Sequence, residues 1–90
     1  MATPVRELLN FPCDHIFKAF GPAEQGDLFV AAVRQAVETV VPLSLDALKV
    51  RASNGGRYQC VSVIVMLQSA EQLEAIYLAL RQVAGITYLL

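Results

Sequence analysis

Residues 48–67 read LKVRASNGGRYQCVSVIVML, and this stretch decides the fold. Its first part alternates: Leu48, Val50 and Ala52 share one side of an extended chain, Lys49 and Arg51 the other. Asn54-Gly55-Gly56 breaks the alternation with residues that accept the positive φ of a tight hairpin turn. Beyond it, Arg57 to Gln68 is rich in β-branched residues and alternates again. Val61, Val63, Val65 and Leu67 point one way; Tyr58, Cys60, Ser62, Ile64 and Met66 point the other. Residues 45–53 and 57–68 are therefore expected to pair antiparallel, with one apolar side.

Toward the C-terminus, Ser69-Ala70-Glu71-Gln72 matches a capping box. The Ser69 hydroxyl can accept from the Gln72 backbone while the Gln72 side chain reaches back. Leu73, Ile76, Tyr77, Leu80 and Val83 then form one helical stripe. Arg81 suits the negative end of that helix, Gly85 is placed to cap it, and Ile86 to Leu90 reads as a final strand.

Toward the N-terminus, Pro42 stops a second helix, since it can neither donate nor continue the ladder. Phe29, Val33, Ala36, Val37 and Val40 give that helix its apolar spacing from about Glu24 onward, with Glu24 and Asp27 at its positive end. Gly26 weakens the first turn. Asp14 to Phe20 precedes it as an aromatic-rich strand closed by Gly21-Pro22.

The order along the chain is thus β-α-β-β-α-β. Right-handed crossovers place two helices on one face of a four-stranded antiparallel sheet of order 4-1-3-2, a ferredoxin-like α+β sandwich. Residues 1–90 have room for one core only, with residues 1–10, a short amphipathic stretch carrying Arg6 and Glu7, as an extension.

A net charge of -1 gives no global field for nucleic acid or anionic lipid. No apolar run approaches the roughly 18 residues of a membrane helix, and no secretory signal opens the chain, so a cytoplasmic protein is expected. Apolar types reach 56%, more than one small core consumes. Cys13 and Cys60 fall near opposite ends of antiparallel neighbours. About 20 Å of strand separates them, beyond the roughly 7 Å that a disulfide spans. Two free thiols are expected.

Catalytic and metal chemistry find little support. His15 is the single histidine, and Cys13, Asp14 and His15 cannot converge on one ion, because strand neighbours point to opposite faces. Cys13 and His15 do share a face, yet nothing beside them supplies an oxyanion hole. The carboxylates are spread over helix starts and polar faces. No phosphate or dinucleotide motif occurs. No enzyme, cofactor or metal is expected.

The uncovered sheet face carries more information. Alternation displays Lys18, Phe20, Lys49, Arg51, Tyr58, Cys60, Ser62, Ile64 and Met66 there. An apolar face of this kind marks contact with a protein partner or a second copy, with Lys49 and Arg51 as its polar rim. The alternative is a single-stranded RNA-binding domain, since bases stack on aromatics beside basic residues on such sheets. Gly56-Arg57-Tyr58-Gln59-Cys60-Val61 matches that motif at Tyr58 and Val61 and lacks its later aromatics.

Ser53, Gly56, Tyr58, Val61 and Ser62, followed by Glu71, Gln72, Glu74, Tyr77 and Leu80, resemble the YbeD-like family of small bacterial proteins. Leu9-Asn10-Phe11-Pro12, Phe17-Lys18 and Gly21 resemble its N-terminus. Pro22 to Leu45 is longer than that family's pattern, and Cys60 stands in place of a serine. The resemblance implies an ACT-like regulatory fold of unassigned function and a link to lipoate metabolism. It also implies a small-ligand turn at Gly21 and Pro22, beside an oligomer interface.

Overall fold

The computed structural model describes residues 10–53 and 55–90. The expectations for the N-terminal extension and for Asn54 lie outside these residues. Strands β1 (Cys13–Pro22), β2 (Leu48–Ala52), β3 (Tyr58–Leu67) and β4 (Tyr88–Leu89) form one antiparallel sheet of order β2-β3-β1-β4. Helices α1 (Asp27–Glu38) and α2 (Ala70–Arg81) complete the expected ferredoxin-like sandwich.

The buried side of β1 and β3 follows the alternation. Phe17 and Ala19 on β1, and Val61, Val63, Val65 and Leu67 on β3, pack under Phe29, Val33 and Val37 of α1 and Leu73, Ile76 and Leu80 of α2. Apolar burial of this kind is the main stabilising term of a small domain. Strand β2 departs from expectation. Leu48, Val50 and Ala52 do sit on the helix side, opposite Val63, Val61 and Gln59. The edge strand nevertheless overhangs the helices, and Val50 remains 51% exposed.

Local signals shifted in instructive ways. The Ser53 carbonyl accepts from Gly56, and Gly55 and Gly56 take φ of 84° and 70°, so the turn is a longer loop than a two-residue hairpin. Pro22 is followed by a 3-10 turn, Ala23–Gln25, and Gly26 at φ 52° separates it from α1. Glu24 thus belongs to the short turn and Asp27 to the helix. Helix α1 ends at Glu38, before Pro42, where Thr39 Oγ1 donates to the Ala36 carbonyl. Arg34 donates to the Ser44 and Leu45 carbonyls, and β2 begins at Leu48 rather than at the expected Leu45.

At α2, Ser69 Oγ accepts from the Gln72 amide as expected. The return bond differs: Gln72 Oε1 accepts from Gln68, one residue before the cap. Gly85 does not cap the helix either. Helix α2 closes through i,i+3 bonds from Gln82 and Val83, and Gly85 serves the following Val83–Ile86 turn at φ 88°. Cys13 and Cys60 are both free thiols on opposite faces of the sheet. No helix among the described residues is long and apolar enough to cross a membrane.

Candidate functional site

Register determines what the uncovered face presents. Cys60 pairs with Phe20 and Arg51, Ser62 with Lys18 and Lys49, Ile64 with Ile16, and Tyr58 with Pro22. Phe20 also pairs with Tyr88, and Lys18 exchanges backbone bonds with Leu90. The face is therefore a grid. One outer row holds Arg51, Cys60, Phe20 and Tyr88; the other holds Ile64 and Ile16. Between them runs Lys49, Ser62, Lys18 and Leu90. Met66 and Asp14 close one end, Tyr58 and Pro22 the other.

Every residue expected on this face lies on it by register. Ile16, Tyr88 and Leu90 belong there too, and sequence reading missed them. Ile16 is 50% exposed and Ile64 40%. The signal for Ile16 was its parity with Lys18. Tyr88 needed the pairing of β4 with β1, and its ring lies 5.9 Å from that of Phe20. Lys18, Lys49, Arg51, Cys60 and Ser62 line, with Ile16 and Ile64, an open depression of about 620 Å³. Among the described residues, no carboxylate forms an ion pair with Lys18, Lys49 or Arg51.

Gly21 and Pro22 occupy the last two positions of β1, paired with Gln59 and Tyr58, rather than a turn beyond it. The Phe29 ring fills the space over Gly21, so a ligand on that side would have to displace it. Gln59, another residue sequence reading passed over, lies buried at an apolar parity. Its side-chain amide donates to the Pro22 and Gly26 carbonyls at 3.2 and 3.1 Å, tying β3 to the entry of α1. Gln59→Leu strips both acceptors of their donor and is expected to cost about 1–3 kcal/mol of unfolding free energy. A urea midpoint matching the wild type would show that those bonds contribute nothing.

On the helix side, His15 Nε2 lies 3.3 Å from the Tyr77 hydroxyl, and both rings meet Phe17 edge-on. No hydrogen bond joins Cys13 to His15 among the described residues. Nor do three His, Cys, Asp or Glu side chains gather there as a metal would need. Burial lowers the His15 pKa below 6.5 and raises that of Tyr77. The unfolded chain therefore takes up the His15 proton at higher pH than the folded one. Stability from this group is complete above pH 6.5 and is lost as pH falls from there toward the lowered folded value. His15→Gln should remove that part of the acid sensitivity; an unchanged pH–stability curve between wild type and variant would contradict it.

The fold and its free face define an open-faced ferredoxin-like module with no assembled catalytic group among the described residues. The family model described as "Protein of unknown function (DUF493)" matches residues 6–90, and the chain belongs to that family. Curated relatives carry the name UPF0250 protein. That of Ralstonia nicotianae is 38% identical over 81 residues, 88% of this chain and 81% of its own. The Chromobacterium violaceum protein is 36% identical over 81 residues, 89% of each chain. The Nitrosomonas europaea protein is 34% identical over 84 residues, 92% of this chain and 94% of its own. The YbeD-like resemblance is borne out by these matches, and none of the names states a catalytic activity.

Proposed function

We propose that this chain is a non-catalytic interaction module that pairs with a second copy of itself through the open sheet face. The observation that carries the reading is the grid, in which Ile16 and Ile64 on one side and Phe20 and Tyr88 on the other flank a polar central row. A two-fold axis along the Lys49–Leu90 row lays one copy's Ile16 and Ile64 against the other's Phe20 and Cys60. An isologous contact requires that self-complementarity.

Size supports a weak pair. Strands about 4.8 Å apart, rising about 3.3 Å per residue, give the face a footprint of roughly 500 Å². Two such faces bury roughly 1,000 Å², the lower bound for a specific interface. Weak pairing suits a module whose assembly is adjusted by conditions, in keeping with the regulatory role that an ACT-like fold implies.

Sedimentation over micromolar to millimolar protein is expected to show a reversible monomer–dimer equilibrium, and Ile64→Lys to leave only monomer. A wild type that stays monomeric throughout would refute the pairing. Filter binding with single-stranded RNA separates the rival reading: salt-dependent affinity lost in Tyr58→Ala would replace pairing with nucleic-acid recognition.

A further inference from the structure

The central row carries a contradiction that points to a ligand. Rotation about either in-plane two-fold axis, along the strands or across them, maps the Lys49-Ser62-Lys18 row onto itself. Packed sheets lie about 10 Å apart, so the lysines of two paired copies would meet across the contact. Arg51 stands one row away on the same edge strand as Lys49. Two lysines of each copy therefore face those of the other, with Arg51 one row away, and among the described residues none of the three cations is ion-paired to a carboxylate. Glu24, Asp27, Glu38, Glu71 and Glu74 lie on the helix layer and its connections, while Asp14 stands at the far end of the open face, two rows from Lys18. The net charge of -1 conceals a basic sheet face.

We propose that the depression framed by Lys18, Lys49 and Arg51 binds a small multivalent oxyanion, and that its occupancy strengthens the pairing of two copies. This rests on the pairing reading above. Ser62, between Lys18 and Lys49, offers its hydroxyl as a donor at the floor of the site. Adjacent strands lie about 4.8 Å apart, so flexible side chains from β1 and β2 reach one group above Ser62. Ile16 and Ile64 border the depression and suit an apolar portion of the same ligand. The ligand class is a small molecule carrying two or more negative charges on phosphoryl or carboxylate groups, since one charge cannot neutralise facing cationic rows. Bound anions turn repulsion between the rows into bridged contacts.

The test compares sodium pyrophosphate and sodium citrate with sodium chloride at equal ionic strength, using the full chain. In millimolar pyrophosphate or citrate the dimer constant should tighten roughly tenfold, equivalent to about 1.4 kcal/mol. The Ser62 and Cys60 amide resonances should shift saturably. Response to pyrophosphate alone identifies a phosphoryl ligand, and response to citrate alone a carboxylate one. A Lys18→Gln, Lys49→Gln double variant should pair without either anion and lose the response. Met66→Lys, on the same face but outside the depression, should weaken pairing yet still show the Ser62 shift. Absence of any saturable shift in the wild type overturns the anion site. Saturable shifts in a protein that never dimerises overturn the gating and the pairing together, leaving the site. Equal dimerisation in all three salts overturns the gating alone.

Discussion

Phe17→Ala is expected to reduce the unfolding free energy by about 3–5 kcal/mol, a large share of the roughly 5–13 kcal/mol available to a chain this long. Phe17 is wholly buried at the middle of β1, beneath both helices. Its ring meets His15 at 4.6 Å and Tyr77 at 4.9 Å, edge-on in each case. Truncation removes those ring contacts, which add to area burial, and leaves a void that the sheet backbone cannot collapse to fill. Phe17→Leu keeps much of the volume and is expected to cost clearly less. Equilibrium urea unfolding measures both. A Phe17→Ala loss below about 1 kcal/mol would mean that the core around β1 relaxes far more freely than close packing allows.

Gly21→Ala is expected to cost about 1–3 kcal/mol through overpacking. A methyl group at Gly21 would overlap the Phe29 Cε1 and Cζ atoms. Gly21 has no positive φ, so alanine suits its backbone and would otherwise stabilise by narrowing the unfolded ensemble. The sign of the effect therefore reports the ring alone. In a Phe29→Ala background the same substitution should become neutral or stabilising, giving a coupling energy of about 0.5–3 kcal/mol in a double-mutant cycle. Simple additivity would show that Gly21 is not required for the close approach of α1 to β1.

These two sites show where sequence reading is strong and where it stops. The strand containing Phe17 was legible because aromatic and aliphatic residues cluster there before a Gly-Pro stop. Glycine before proline is the local signature of a chain reversal, so Gly21 reads as a turn residue, and the family resemblance alone adds a ligand role. Its actual task, admitting a ring from a helix, depends on Phe29, eight positions away and in another layer. Gln59 was passed over similarly. Its parity was plain, but a polar residue at a buried position acquires meaning only once its partners, the Pro22 and Gly26 carbonyls, are in place.

The capping box and the C-terminal glycine repeat the lesson on a smaller scale. Ser69 and Gln72 were the right residues, yet Gln72 chose the Gln68 amide. Gly85 does take a left-handed conformation, but in the turn leading to β4 rather than at the end of α2. Local chemistry offers several partners within reach, and the direction of the incoming chain selects among them.

The candidate face divides in the same way. Residues 48–67 by themselves determined the hairpin and the membership of Tyr58, Cys60, Ser62, Ile64 and Met66 on one side, because side-chain parity along a strand is a covalent property, and the helical stripes and strands flanking them gave the β-α-β-β-α-β order. Tertiary structure alone decided that Lys18, Lys49 and Ser62 share a central row, that Ile16 faces Ile64, and that Tyr88 joins Phe20. Those neighbours come from different strands. Their alignment follows from register, which is chosen by how the buried valines and phenylalanines fit beneath two helices rather than by any signal on the exposed side.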